Sequence, residues 1–200
     1  MILAELYKQC KQCRACELRS GGATQVVPWE GGRTAAAMFI SEAPGQQEDL
    51  LGIPFQGAAG KIFDKLAAAL GFTRGKETHI TNVVKCRPPK NRTPTWAECE
   101  HCGGLFLNKE IEIVKPRAII CFGKTAAQYV LGVPGGSLGG LRGSVHDLHG
   151  IPVVATYHPA YLLYNRKNEA AIKWSMWEDI TAVLEAAEIT YRRQQRKQGK

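Results

Sequence analysis

Ala118-Ile119-Ile120-Cys121-Phe122-Gly123-Lys124-Thr125-Ala126-Ala127-Gln128-Tyr129-Val130-Leu131-Gly132 reads as a strand, a turn and a helix in succession. Ala118 to Phe122 is a short apolar run of the kind a buried strand uses, although periodicity alone does not separate it from a buried helix segment. The neighbouring segment decides between the two: Lys124 to Leu131 reads as a short helix stopped by Gly132.

Working outward, three further runs have the same character: Ala37 to Ile40, His79 to Val84 and Val153 to Tyr157. Helical patterns lie between and after them. Lys61 to Leu70 sets Ile62, Phe63, Leu66 and Leu70 on one face and stops at Gly71. Thr95 with Glu98 resembles a capping box, and the helix it opens must end before Pro116, weakened in its interior by Gly103 and Gly104. From Asn168 a long amphipathic pattern carries Ile172, Met176, Ile180, Val183, Leu184 and Ala187 towards a core. Strand and helix alternate, which predicts an α/β fold of three layers, a central four-stranded parallel sheet with helices on both faces. Gly135 to Gly143 reads as a mobile surface loop. No repeat or long linker divides the chain, so one domain over residues 1–200 is expected, with a basic tail at about 190–200 (Arg192, Arg193, Arg196, Lys197, Lys200) read as a frayed, solvated helix end.

A chain of 200 residues buries a core without covalent staples. Its seven cysteines, an odd number, and the lack of a basic-then-apolar leader lead to the expectation of a reducing, cytoplasmic setting in which thiols bind metal or act chemically. No apolar run approaches the roughly 20 residues a bilayer span needs, and no sustained heptad seam asks for a partner helix, so a monomer with no membrane association is expected. The formal net charge of +8 points to a polyanion, with nucleic acid the commonest soluble candidate. Lys85, Arg87, Lys90 and Arg92 cluster on a stretch stiffened by Pro88, Pro89 and Pro94.

Cys13-x-x-Cys16 near the start, with Cys86 and Cys102 around the basic stretch, suits zinc or an iron-sulfur cluster; the plain alternative is a set of small buried hydrophobes. Ligands of an open parallel sheet sit beyond the carboxyl ends of its strands. There the first strand runs into Ser41-Glu42-Ala43-Pro44-Gly45, the second contains Asn82, the third reaches Gly123 and the fourth His158-Pro159. Glu42, Asn82 and His158 each have a dull structural explanation singly, but together they predict one site.

The segments E-A-P-G-x-x-E-D (Glu42 to Asp49), G-x-P-F-x-G (Gly52 to Gly57), T-N-V-V-K-C-R-P-P (Thr81 to Pro89) and H-P-A-Y-L-L (His158 to Leu163) occur in this order, with the cysteines in register. This combination resembles the family 4 uracil-DNA glycosylases, which carry a four-iron four-sulfur (4Fe-4S) cluster. The resemblance implies hydrolysis of the bond between uracil and deoxyribose in uracil-containing DNA, leaving an abasic site. It also implies cluster ligands at Cys13, Cys16, Cys86 and Cys102. Cys10 and Cys99 lie three residues from a ligand and on spacing alone could substitute, whereas Cys121 reads as core.

By the same resemblance Phe55 would stack on the extruded base and Asn82 would read its Watson-Crick edge. Glu48 would close the pocket near C5, and His158 would donate to the charge developing on uracil O2. Ala43 stands where the best-known uracil glycosylases place an aspartate, which leaves Glu42 as first candidate for positioning water and Glu48 as second. Tyr161, Leu162 and Leu163 would wedge into the duplex, with one of them starting a core helix, while Lys85, Arg87, Lys90 and Arg92 would hold phosphates. Ser41 departs from the glycine usual in the family. A related branch traps uracil covalently through a histidine in an inserted basic loop; Lys90-Asn91-Arg92-Thr93-Pro94 lacks one. A non-catalytic nucleic-acid-binding protein with a zinc site, or a small iron-sulfur electron carrier, are the other classes these features allow.

Overall fold

The computed structural model describes residues 2–193. Among them five strands form one sheet: β1 (Ala37–Ser41), β2 (Thr78–Asn82), β3 (Ala118–Phe122), β4 (Val145–Leu148) and β5 (Ile151–Thr156), in the spatial order β2-β1-β3-β5-β4. The four strands expected from the sequence are β1, β2, β3 and β5, each parallel to its neighbour. The runs of β1, β3 and β5 lack a polar alternation because both faces are covered, while β2 is equally buried but carries Thr78, His79, Thr81 and Asn82. Met38, Ile40, Ile119 and Cys121 enter one core cluster, and Phe39, Ile120 and Phe122 enter the other.

Strand β4 corrects the four-stranded expectation. It pairs antiparallel with β5 across a two-residue turn, His149-Gly150, in which both φ angles are positive at 51° and 86°. That turn matches the twist of the flanking strands and is usually written Asn-Gly or Asp-Gly; a histidine in first place conceals it.

The helices are α1 (Leu3–Lys11), α2 (Glu17–Ser20), α3 (Gln46–Leu51), α4 (Ala58–Leu70), α5 (Trp96–Cys102), α6 (Asn108–Val114), α7 (Lys124–Leu131), α8 (Leu138–Leu141), α9 (Tyr161–Tyr164) and α10 (Glu169–Ala186). Leu6 of α1, Val114 of α6 and Ala126 and Val130 of α7 cover one face of the sheet; Phe63 and Leu70 of α4 and Ile172, Ile180 and Leu184 of α10 cover the other. The capping box forms as expected, with Thr95 Oγ1 accepting from Glu98 N at 3.2 Å and Glu98 Oε2 accepting from Thr95 N at 2.7 Å. The Gly103-Gly104 pair does not break its helix. The chain widens into a π turn over Gly103–Leu107, and a Cβ at position 103 would lie 2.2 Å from the Tyr129 ring.

Two loop readings are also corrected. Gly135 to Gly143 holds α8, N-capped by Ser137 Oγ accepting from Gly140 N at 3.1 Å, and Arg142 beyond it pairs with the buried Asp179 at 2.8 Å. Helix α10 ends at Ala186, so the start of the basic tail is not a helix end: Arg192 N instead donates to Leu70 O at 2.8 Å. Arg196, Lys197 and Lys200 lie outside the described residues. No helix among the described residues is long and apolar enough to cross a membrane.

Candidate active site

Parallel register brings Ser41 at the end of β1 level with Asn82 at the end of β2, while β3 runs out at Gly123 and β5 leads through Tyr157 to His158. Between these ends lies a cavity of about 350 Å³, at the small end of the range for ligand sites. Glu42, Ala43, Glu48, Phe55, Asn82 and His158 all line it, with Arg92 at its border. The pocket expected from strand ends is therefore assembled, from elements spread over more than half of the chain.

The loop carrying Phe55 is fixed from three sides. Phe55 has φ of 52°, a left-handed conformation that costs a bulky residue on the order of 1 kcal/mol. Arg74 holds its carbonyl side, donating from Nη1 to Phe55 O at 2.9 Å and from Nη2 to Pro54 O at 2.5 Å, and is itself anchored on Glu30 and Asp64. Glu48 holds the amide side: Oε1 accepts from Gln56 N at 2.7 Å and Gly57 N at 3.0 Å, while Oε2 accepts from Gly45 N at 3.1 Å. From below, Gly60 is open enough to admit the turn, since a Cβ there would lie 2.0 Å from Phe55 O. Thus Phe55 faces the cavity with its ring stacked on His158, centroids 5.8 Å apart at 19°. Glu48 stands at the cavity wall as expected, yet its carboxylate is engaged by three backbone donors rather than solvated.

His158 accepts at Nδ1 from Ala160 N at 3.0 Å, so the neutral ring carries its proton on Nε2, which lies 2.9 Å from Ser41 Oγ. Burial pushes its pKa down to about 4, against an opposing pull from the Glu48 charge. A neutral donor is the outcome at ordinary pH. Asn82 is 2% exposed, and its side-chain amide has no hydrogen-bond partner among the described residues, leaving it available to a ligand edge. Glu42 Oε2 accepts from Thr125 Oγ1 at 2.5 Å; Thr125 sits in the first turn of α7 and fixes the carboxylate at the mouth of the site.

One expected DNA contact, Lys85, is overturned, and one of the three wedge residues, Leu162, falls to the core. Lys85 is not a surface cation: it is 1% exposed, donates to Thr81 Oγ1 at 2.6 Å and Asn82 O at 2.7 Å, and forms an ion pair with Glu110 at 2.5 Å. Glu110 is fully buried on α6. Burial alone would raise its pKa, and Lys85 with His79 holds it below its ordinary value instead. A buried carboxylate needs a counter-charge, and that need takes Lys85 out of the basic surface. Leu162 is the member of the proposed wedge that belongs to the core, 4% exposed, whereas Tyr161 and Leu163 are exposed. Lys90 and Arg92 are exposed and Arg87 is half-buried, with Arg92 paired to Glu98 at 2.6 Å and Arg87 Nε donating to Asn91 Oδ1 at 2.7 Å. Arg74 and Thr125 are positioning residues that sequence reasoning does not find. Nothing near either in sequence marks it.

All seven cysteines are free thiols, and all seven fall in one core cluster, with Cys13 and Cys16 at its partly buried edge. Burial pushes the Cys86 thiol up to about 12, with smaller contributions from Cys102, Cys16 and Cys13; Cys10, also raised by burial, feels Cys102 and Cys13 as well. Cys99, also pushed up to about 12 by burial, feels Glu42 next and then Cys102. Among the described residues no three Cys, His, Asp or Glu side chains close on a single ion's coordination shell.

A match to the Uracil DNA glycosylase superfamily spans residues 28–181, from the approach to β1 into α10. The chain belongs to the uracil DNA glycosylase superfamily. Within it, the similarity runs to the type-4 branch. A type-4 uracil-DNA glycosylase of Thermotoga maritima is 42% identical over 169 residues, covering 84% of this chain and 86% of that protein. One from Archaeoglobus fulgidus is 38% identical over 169 residues, covering 81% of this chain and 83% of its own length. A type-5 uracil-DNA glycosylase of Pyrobaculum aerophilum matches more narrowly, 41% identical over 88 residues and 44% of this chain. The matched residues include all five strands and every residue lining the cavity.

Proposed function

We propose that this protein is a monofunctional uracil-DNA glycosylase of base excision repair, hydrolysing the N-glycosidic bond of deoxyuridine in DNA. One observation carries the reading: a stacking ring (Phe55), an unpartnered amide (Asn82), a neutral imidazole donor (His158) and a braced carboxylate (Glu42) meet around one base-sized cavity. An extruded uracil would stack on Phe55. The Asn82 amide both donates and accepts, matching the adjacent N3–H and carbonyl of uracil, whereas cytosine presents a different order. As the bond to C1′ lengthens, its electron pair passes to the base, and a hydrogen bond from the His158 side of the pocket stabilises the resulting anion. A pre-arranged donor of this kind contributes about 3 to 4 kcal/mol. Glu42, held by Thr125, orients the water that adds to the sugar.

The four thiols of Cys13, Cys16, Cys86 and Cys102 are the set that would hold a 4Fe-4S cluster. Thiolate sulfur is the ligand such clusters take, and four cysteines is the number one cluster needs. When bound, the cluster would supply a rigid tie between the N-terminal segment and the loop after β2. The hydrolysis itself moves no electrons. Lys85 N, which donates to Cys102 Sγ at 3.3 Å, would brace one ligand.

The deciding experiment is incubation with an oligonucleotide bearing a single deoxyuridine, followed by alkaline cleavage at any abasic site. Strand scission at that position is expected, and an intact strand in every DNA context would end the proposal. In the same assay Glu42→Gln is expected to slow turnover without abolishing it, and an unchanged rate would remove Glu42 from the mechanism.

A further inference from the structure

Ser41 carries a hydroxyl that the proposed hydrolysis does not use. It closes β1, is 2% exposed and lines the cavity. Its main chain is committed elsewhere, the carbonyl accepting from Val83 N at 2.9 Å. Its side chain is not. Because Ala160 N occupies Nδ1 of His158, the ring proton is on Nε2, and the 2.9 Å contact runs from Nε2–H to Ser41 Oγ. A hydroxyl that accepts one hydrogen bond keeps its own proton to give. The proton of Ser41 meets no acceptor among the described residues, so the open direction is the cavity.

We propose that Ser41 is the hydrogen-bond donor that reaches the pyrimidine oxygen gaining charge as the base departs, with the single N–H of His158 polarising its hydroxyl from behind. This rests on the glycosylase reading of the cavity. Chained donors strengthen one another, so the pair presents a stronger donor to the oxygen than an isolated hydroxyl would. The step transfers no proton from Ser41: the C1′–N1 electron pair leaves with the base, the oxygen takes up negative charge, and the hydroxyl stays a hydroxyl. The opposite arrangement, in which Ser41 competes with the base for Nε2–H, predicts the opposite sign on removal.

Single-turnover uracil release from a deoxyuridine oligonucleotide, compared between wild type and Ser41→Ala, separates the two. The expected result is a loss of about tenfold or more. On a 5-fluorodeoxyuridine oligonucleotide, whose base is a more acidic leaving group, the loss should be smaller. In a His158→Ala background, Ser41→Ala should cost much less than it does alone. An unchanged or faster Ser41→Ala enzyme overturns the proposal, as does an equal loss on both bases, which would assign the effect to packing. A thermal unfolding midpoint for Ser41→Ala matching wild type verifies that the comparison is between folded proteins. An inert wild type would instead overturn the glycosylase reading itself, and this proposal with it.

Discussion

A histidine that serves as a hydrogen-bond donor works best when its charge does not change across the working pH range, and His158 meets that condition by burial. Its native pKa near 4 lies below the unfolded value of about 6.5. Between these values the unfolded chain binds a proton that the native chain does not. Stability therefore falls as pH drops from about 6.5 towards 4, and this contribution is level above about 6.5. Urea unfolding of wild type and His158→Gln at pH 7 and pH 4.5 should show the wild type losing about 2 kcal/mol more on acidification than the variant. Equal losses would mean that the ring titrates normally. His158, Asn82 and Glu42 are legible in the sequence because the carboxyl end of a parallel strand is a predictable address. Thr125 and Arg74 are not: Thr125 meets Glu42 across 83 residues, and Arg74 reaches Glu30 across 44. Lys85 misleads for the same reason, since its partner Glu110 lies a helix and a π turn away.

The element that decides the shape of the pocket is the turn from Pro54 to Gly57, which no propensity would have fixed. A phenylalanine in left-handed backbone is unfavourable alone, and it holds only because Arg74, Glu48 and the bare Cα of Gly60 act together. Gly60→Ala places a methyl against the Phe55 carbonyl, and the turn or α4 must shift. The expected cost is about 1 to 3 kcal/mol of stability. Uracil release should fall further than that loss of folded protein explains, as measured by denaturant unfolding beside the oligonucleotide assay. A variant as active and stable as wild type would show that the turn has slack. Other elements divide along the same line. Strands β1, β3 and β5 announce themselves by apolar runs, whereas β2 (Thr78-His79-Ile80-Thr81-Asn82) is betrayed mainly by Ile80 and by Val83 and Val84 just beyond it. The hairpin to β4 does not, because its strand is half-exposed and its turn spends a histidine where asparagine would have been conspicuous.

At the scale of the molecule the +8 charge still argues for a polyanion, but not all of it is available at the surface. With Lys85 neutralised inside, the basic loop beside the cavity offers Lys90, Arg87 and Arg92, the last shared with Glu98. Lys90→Ala should flatten the log–log dependence of DNA affinity on salt by about one unit, the release expected for one phosphate contact. Equal slopes would take Lys90 off the DNA-facing surface. The layered α/β architecture is legible almost in full, since four buried runs alternating with amphipathic segments admit few other arrangements. The rigidity of the Phe55 turn bears on energy flow between the two molecules. A socket finished during folding releases nothing by closing, so the work of drawing a nucleotide out of the double helix falls to the grip on its neighbours and to the weakness of the base pair being opened.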